Sequence, residues 1–238
     1  APIEERCLVG LTFDMPTPLR DRCGELDVDN LVDGIGSPPG PSTLTSGVSP
    51  WLGDGRAIVP GQFLRIGTAP VDYSGDFTVQ IWGYVNPGAS YLQDFWADSS
   101  SDAPPGGVSM WMYNGQGYVR AFHYMGGAPC VEAVPGVCIV SADLGSITEG
   151  GWHFYRLVRS TTDDEILVCV DGVRRTRLAV DGSHDLTSAY QPYLGRNVDF
   201  NPAELDGRLD GSALTRSKLE LDLGDLRALL AGSYRRGV

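Results

Sequence analysis

The chain has 238 residues, of which 42% are hydrophobic and 20% charged, and it contains 31 glycines and 16 prolines. This composition excludes a fibrous or disordered protein, and we expect one folded domain over residues 1–238. Thirty Asp and Glu against 18 Lys and Arg give a formal net charge of −12, which argues against a nucleic-acid partner because phosphates need cationic side chains to neutralise them. No apolar run reaches the about 18 residues of a membrane-spanning helix, so we predict no membrane insertion.

Short β-strands are the main pattern along the chain. Segments rich in Gly, Pro and Ser predict loops at 33–50 and 99–107. Elsewhere apolar and polar residues alternate with a period of two, between turn residues such as Asn-Gly and Asp-Gly, and this alternation predicts strands. The predicted strands are 77–85, 108–113, 117–125, 152–159 and 165–173.

The absence of helical patterns between these strands favours an all-β fold over alternating strands and helices. We therefore predict a two-sheet antiparallel jelly-roll sandwich. One short helix is predicted near the C-terminus, where Asp222 can cap the first turn, leucines recur at helical spacing and Gly232 follows the last turn.

Five cysteines bear on the environment of the protein. The pairs Cys7–Cys23 and Cys130–Cys138 each close a short loop that contains proline, and neither has the spacing of a zinc site. Cys169 lies among apolar residues and is expected to be a small buried side chain. Two disulfides would imply an extracellular, cell-surface or periplasmic location, and five reduced thiols are the alternative. The Ala-Pro start fits either a mature form whose signal was removed or an excised piece of a longer chain.

Three segments in order carry a family pattern: SGDFTVQIWGYV at 74–85, GGWHFYRLVRSTTDDEILVCVDGVRR at 150–175, and PYLGRNVDFNPAELDGRLDGSALTRSKLELDLGDLRALLAG at 192–232. Their order and spacing resemble the concanavalin A-like lectin/glucanase superfamily, and within it the laminin-G-like domains of bacterial secreted proteins. LVGLTFDMP at 8–16 fits the expected first strand of that family. The resemblance implies a concanavalin A-like jelly roll.

The resemblance also implies a structural calcium ion, which many members hold between an early segment and an Asp of the closing strand. Asp210 matches that Asp, although Gly211 stands where the family has a second acid. Asp14 and a loop carbonyl near Asp33 are weaker candidate ligands. Residues 1–33 contain eight acids and three arginines, and calcium takes six to eight oxygen ligands. A solvated or turn-capping Asp is the alternative at each position.

Aromatic side chains on the predicted strands suggest a platform on which sugar rings stack, since a flat apolar face with a polar tip suits the C–H face of a carbohydrate. The alternative is that these rings fill the core of the sandwich. The candidate ligand-binding residues are Trp82, Tyr84, Trp111 and Tyr113, with Trp96 beside them.

The sequence patterns that would indicate catalysis are weaker than those that indicate binding. Laminarinase-type relatives carry alternating carboxylates on a central strand, but the nearest string here, Glu25 to Asp29, ends in Asp and precedes the predicted sheet strands. A lyase would need a Tyr and His pair, for which Tyr118, Tyr124 and His123 are candidates. His153 and His184 have no recognisable nucleophile partner, and no G-x-S-x-G motif is present.

The sequence therefore favours a non-catalytic secreted or cell-surface module that binds a glycan or an extracellular protein and holds a structural calcium ion. One alternative is a diverged polysaccharide hydrolase or lyase of the same fold. Another is a structural unit for adhesion that binds no small ligand.

Overall fold

The computed structural model describes residues 7–12, 20–21, 28–34, 37–41, 45–48, 54–67, 70–89, 92–98, 106–113, 115–124, 131–134, 137–183, 185–188, 190–196 and 205–215. Every regular element in this part of the chain is a β-strand. The strands are β1 Cys7–Thr12, β2 Arg20–Asp21, β3 Val28–Gly34, β4 Ser37–Pro41, β5 Thr45–Val48, β6 Asp54–Ile58, β7 Gln62–Ile66, β8 Phe77–Val85, β9 Gln93–Ala97, β10 Val108–Tyr113, β11 Gln116–Tyr124, β12 Val131–Val134, β13 Val137–Ser146, β14 Trp152–Ser160, β15 Glu165–Val170, β16 Val173–Ala179, β17 Tyr193–Leu194 and β18 Gly207–Thr215.

The strands form two antiparallel sheets. Sheet A has the order β16-β15-β14-β8-β18-β1-β2, and β6 also pairs with β18 and carries β5. Sheet B has the order β12-β13-β11-β10-β9-β17-β7-β3-β4. The predicted all-β, two-sheet antiparallel sandwich is confirmed, whereas the helix predicted after Asp222 lies outside the described residues.

Alternate side chains of the two sheets meet in one apolar core, as expected for strands with one buried face. The Phe95 ring of sheet B lies 4.3 Å from the Tyr155 ring of sheet A, measured between centroids. The Tyr155 hydroxyl donates to the sulfur of Met112 across the core at 3.2 Å. Burial raises the pKa of Tyr155 well above its ordinary value, with a smaller contribution from Asp171, so the tyrosine stays a neutral donor.

One predicted strand extends past the turn of a hairpin. The strand predicted to reach residue 173 ends at Val170, because Asp171 and Gly172 both have positive φ, 54° and 77°. This geometry is typical of the two-residue turn that reverses an antiparallel hairpin. The chain then returns as β16, an arginine-rich strand at the edge of sheet A.

The loop predicted at 33–50 contains two short strands. β4 pairs with β3 and β5 pairs with β6. Its prolines are compatible with β4 because that strand lies at the end of sheet B, where an N–H is not needed for a second neighbour.

The closing strand β18 contains a bulge at the position where the family pattern has a second acid. Asp210 is opposite Trp82, but the next paired residue, Ser212, is opposite Ile81. Gly211 takes up the extra residue with a φ of 43°, a conformation that glycine adopts without steric cost. A glycine at 211 therefore follows from the backbone geometry of this strand.

Candidate functional site

An aromatic platform lies on the outer face of sheet B. In β10, Val108, Met110 and Met112 are buried in the core, so the alternate residues of the strand face away from it. Of these, Trp111 is half-buried and Tyr113 is 45% exposed. Two of the residues predicted from sequence to bind a ligand thus occupy an accessible surface.

Tyr118 completes this platform. It is directly opposite Trp111 in the ladder between β10 and β11, and the two rings stack with centroids 5.6 Å apart and planes inclined by 17°. Sequence reasoning treated Tyr118 only as a lyase candidate. A signal for the pairing was present, since a two-residue hairpin turn of Asn-Gly at 114–115 places 111 opposite 118.

Acidic residues flank the platform. Across the sheet, Asp94 of β9 is opposite Trp111, and Asp143 of β13 is opposite Tyr118. Asp94 is buried, whereas Asp143 is exposed and accepts hydrogen bonds from the Gln116 side chain and, at 2.6 Å, from the Gly145 amide. Three strand spacings separate the two acids, or about 14 Å between backbones.

A second aromatic cluster lies on the outer face of sheet A. Trp82 and Tyr84 of β8 are half-buried there, beside the rings of Trp152 and Phe154 from β14. Trp82 stacks on Trp152 with centroids 6.2 Å apart and planes inclined by 10°, and Tyr84 lies 5.7 Å from Trp152. Trp152 was missed in the sequence because a Trp at the start of a strand resembles a core residue.

The four predicted ligand-binding residues therefore do not form one platform. Trp82 and Tyr84 lie on the outer face of sheet A, and Trp111 and Tyr113 on the outer face of sheet B. Trp96, expected beside them, is fully buried in the core between the sheets, so its inclusion was wrong.

A carboxyl group with a perturbed pKa lies next to the start of β10. Asp98 is fully buried, and its Oδ1 accepts a hydrogen bond of 2.6 Å from the Val108 amide. Burial raises the pKa of Asp98 to about 7, against the lowering effects of Tyr73, the Val108 amide and Trp96. Gly107 lets the backbone approach, since a Cβ there would lie 2.7 Å from Asp98 Oδ1.

His153 has a structural role in this fold. Its Nδ1 lies 2.7 Å from Oδ2 of Asp171, and its Nε2 lies 3.0 Å from the carbonyl oxygen of Thr148. Both ring nitrogens are thus engaged by acceptors, which leaves neither for a nucleophile. The other catalytic candidates, from Glu25 to Asp27 and at His184, lie outside the described residues, as do the side chains of His123 and Tyr124.

The predicted calcium ligands are not brought together in the described part of the chain. The Asp210 carboxyl is fully buried in β18 of sheet A. Asp14 lies outside the described residues, and the carbonyl predicted near Asp33 or Gly34 belongs to β3 of sheet B. The described residues contain no group of three or more His, Cys, Asp or Glu that could hold a metal ion. Of the predicted ligands, only the Asp210 carboxyl has a described side chain, so the calcium ion stays a prediction.

The structure tests the prediction for one cysteine and not the two predicted disulfides. Cys169 is free and buried in β15, as predicted. Cys23 and Cys130 lie outside the described residues, and so do the side chains of Cys7 and Cys138. The two disulfides stay a prediction. In the described part of the chain, no helix is long and apolar enough to cross a membrane.

Comparison with known proteins supports the fold and not a family. No protein-family model matches the sequence, and no curated protein does so either. Domain 4 of AbnA, an extracellular GH43 arabinanase from Geobacillus stearothermophilus solved with arabinotriose, is similar in structure, with a TM-score of 0.60 and 14% identity over 94% of this chain and 98% of that one.

Two toxin structures are similar as well. The binding domain of Paraclostridial Mosquitocidal Protein 1 gives a TM-score of 0.63 at 10% identity, over 97% of this chain and 53% of that one. The ligand-binding domain of Botulinum neurotoxin serotype D, solved with N-acetylneuraminic acid, gives 0.60 at 10%, over 97% and 52%. This chain spans about half of those structures. At these identities the likeness shows the β-sandwich fold alone.

Proposed function

We propose that this chain is a non-catalytic carbohydrate-binding module, folded as one domain over residues 1–238 and working outside the cytoplasm, at the cell surface or in the periplasm. The observation that carries the proposal is the stacked pair Trp111 and Tyr118 on the outer face of sheet B, extended by the exposed ring of Tyr113. The partner is a glycan and not a nucleic acid, given the net charge of −12.

The platform has the chemistry that a sugar ring requires. Two neighbouring rings inclined by only 17° present a nearly continuous flat surface, and the C–H face of a pyranose or furanose can lie against it. Gln116 and Asp143 stand at the edge of this surface and are joined by a hydrogen bond. Their remaining donors and acceptors can reach the hydroxyl groups at the rim of the sugar.

The arrangement does not support hydrolysis at the platform. Retaining glycosidases hold their two carboxyl groups about 5 Å apart and inverting ones about 6.5–9.5 Å apart. Asp94 and Asp143, on the strands that flank the aromatic pair, are separated by about 14 Å. Asp94 and Asp143 are therefore too far apart to act as a catalytic pair on a sugar held between them.

The structural neighbours support binding as the role of this fold. One of them was solved with a bound arabinotriose, and another with N-acetylneuraminic acid. Both ligands are sugars. The structural calcium ion stays a prediction of the sequence, because the described residues contribute only Asp210 to it.

The test is a binding screen against neutral oligosaccharides, with titration calorimetry on the best ligand. We expect the double change Trp111→Ala and Tyr118→Ala to weaken binding by roughly tenfold, since each ring contact contributes about 0.5–1.5 kcal/mol. Trp152→Ala is the matched control, because it removes an aromatic ring from the opposite face of the sandwich.

Three outcomes would contradict the proposal. Release of reducing sugar or of unsaturated uronate from the bound glycan would show an enzyme. Absence of binding across the whole screen would favour a purely structural adhesion unit. Equal loss of affinity in Trp152→Ala and in the double variant would place neutral glycans away from the sheet B platform.

A further inference from the structure

The outer face of sheet A carries a row of two rings and a guanidinium group. Trp152 of β14 is directly opposite Tyr84 of β8, and Tyr84 is directly opposite Arg208 of β18. The Arg208 guanidinium lies over the Tyr84 ring, 4.9 Å from its centroid. Trp82 stacks against Trp152 behind this row. All four side chains are half-buried, which leaves part of each in contact with solvent.

The positive charge of this row is available to a ligand. No carboxylate in the described part of the chain forms an ion pair with Arg208. Asp206, two residues before it, accepts a hydrogen bond of 2.7 Å from the Asn86 side chain. Asp210, two residues after it, is fully buried. Stacking on Tyr84 fixes the plane of the guanidinium, and its N–H groups have no acceptor among the residues that the structure describes.

The two outer faces differ in the charged side chains beside their rings, although Asp206 and Asp210 precede and follow Arg208 by two residues each. The aromatic platform of sheet B is bordered by the exposed acid Asp143 and by buried Asp94, whereas the row on sheet A ends at Arg208. Asp143 and Asp94 would repel an acidic sugar from the platform, whereas the Arg208 guanidinium offers its carboxylate a charged donor. A guanidinium can hold a carboxylate with two parallel hydrogen bonds, which a neutral hydroxyl cannot match.

We propose that the row Trp152, Tyr84 and Arg208 is a second glycan site, specific for oligosaccharides that contain a carboxylated sugar. One sugar ring stacks on Trp152, and the carboxylate of a neighbouring sugar accepts hydrogen bonds from Arg208. Two strand spacings, or about 10 Å, separate these residues. The site therefore selects an oligosaccharide over a single sugar.

The experiment compares a galacturonic acid tetramer with a galactose tetramer by calorimetry at low salt. We expect the acidic tetramer to bind at least about tenfold more tightly to this site, and 0.5 M NaCl to reduce the difference because exposed charges are then screened. Arg208→Gln removes the preference. Arg208→Lys keeps part of it, since lysine retains the charge without the planar pair of donors.

Cross-variants separate this site from the sheet B platform. Trp152→Ala is expected to weaken the acidic tetramer while leaving neutral ligands unchanged, and Trp111→Ala the reverse. Unfolding midpoints of all variants confirm that each is folded. The comparison is made in a Trp111→Ala and Tyr118→Ala background, which removes the sheet B platform. The proposal is wrong if the two tetramers bind that variant equally well, if neither binds it, or if adding Arg208→Gln leaves the binding of the acidic tetramer unchanged.

Discussion

At the scale of single residues, Asp98 gives the clearest dependence on pH. Its folded-state pKa is raised by burial to about 7, from an ordinary value of 3.8. Because the folded protein holds this proton more tightly than the unfolded chain does, the contribution of Asp98 to stability is complete below about pH 4 and is lost as the pH rises through 7.

Asp98→Asn should remove that dependence. The amide keeps an oxygen for the Val108 N–H and carries no charge at any pH. Relative to the native chain, we expect the variant to gain on the order of 4 kcal/mol between pH 4 and pH 8, measured by urea unfolding at both values. Asp185→Asn, at an exposed site, is the control. Parallel pH profiles for native and Asp98→Asn proteins would contradict the assignment.

At the scale of elements, the hairpin between β15 and β16 depends on Asp171. This residue has a positive φ of 54°, and its Oδ1 accepts the Phe154 N–H at 2.9 Å while Oδ2 engages His153. Aspartate and asparagine tolerate this backbone region better than other residues with a side chain. The turn is thus joined both to its own hairpin and to the start of β14.

The loss in the free energy of unfolding on substitution of Asp171 should increase with the number of its interactions that are removed. Asp171→Ala loses both hydrogen bonds and keeps an unfavourable backbone, and we expect a loss of about 1–3 kcal/mol in the free energy of unfolding. Asp171→Asn retains the conformation and the acceptor for Phe154, so its loss should be smaller, since the contact with His153 is partly exposed. Chemical denaturation at pH 7 measures both, and an alanine variant as stable as the asparagine variant would refute the ranking.

A strand could be predicted from the sequence where apolar and polar residues alternate clearly along it. The strand at 77–85 was predicted to the residue because its alternating side chains lie between clear turns. β16 was missed because an edge strand with exposed Arg174, Arg175 and Arg177 has no apolar alternation to detect. β18 was expected only from the family resemblance, because the bulge at Gly211 shifts the alternation halfway along the strand.

At the scale of the whole molecule, the pairing of strands that are distant in sequence determines which residues share a binding surface. Alternation within a strand correctly separates Trp82 and Trp111 from the core residues beside them. It does not say which sheet each strand joins, and so the sequence merged two surfaces that lie on opposite sides of the sandwich. The contribution of Arg208 depends on a contact with Tyr84, 124 positions away in the chain, for which the sequence carries no local signal.

The predicted calcium ion concerns the stability of the whole chain. If Asp210 helps to hold an ion, a chelator should lower the melting temperature of the native protein, and Asp210→Ala should lower it in excess calcium and make it insensitive to the chelator. Differential scanning calorimetry with EDTA and with calcium measures both effects. Asp206→Ala, on the same strand face but partly exposed, is the control. An unchanged melting temperature of the native protein in EDTA would exclude a stabilising calcium ion.

The placement of the two aromatic surfaces on opposite sheets has a consequence for polymers. Packed sheets lie about 10 Å apart, and a linear polysaccharide cannot lie on both outer faces without turning around the edge of the sandwich. If long glycans occupied both surfaces, the protein would therefore connect two separate polysaccharide chains. It would not bind a single polysaccharide on both faces. A single copy of this chain would then act as a cross-link, tying an acidic polymer to a neutral one, and would stiffen a mixture of the two more than either alone.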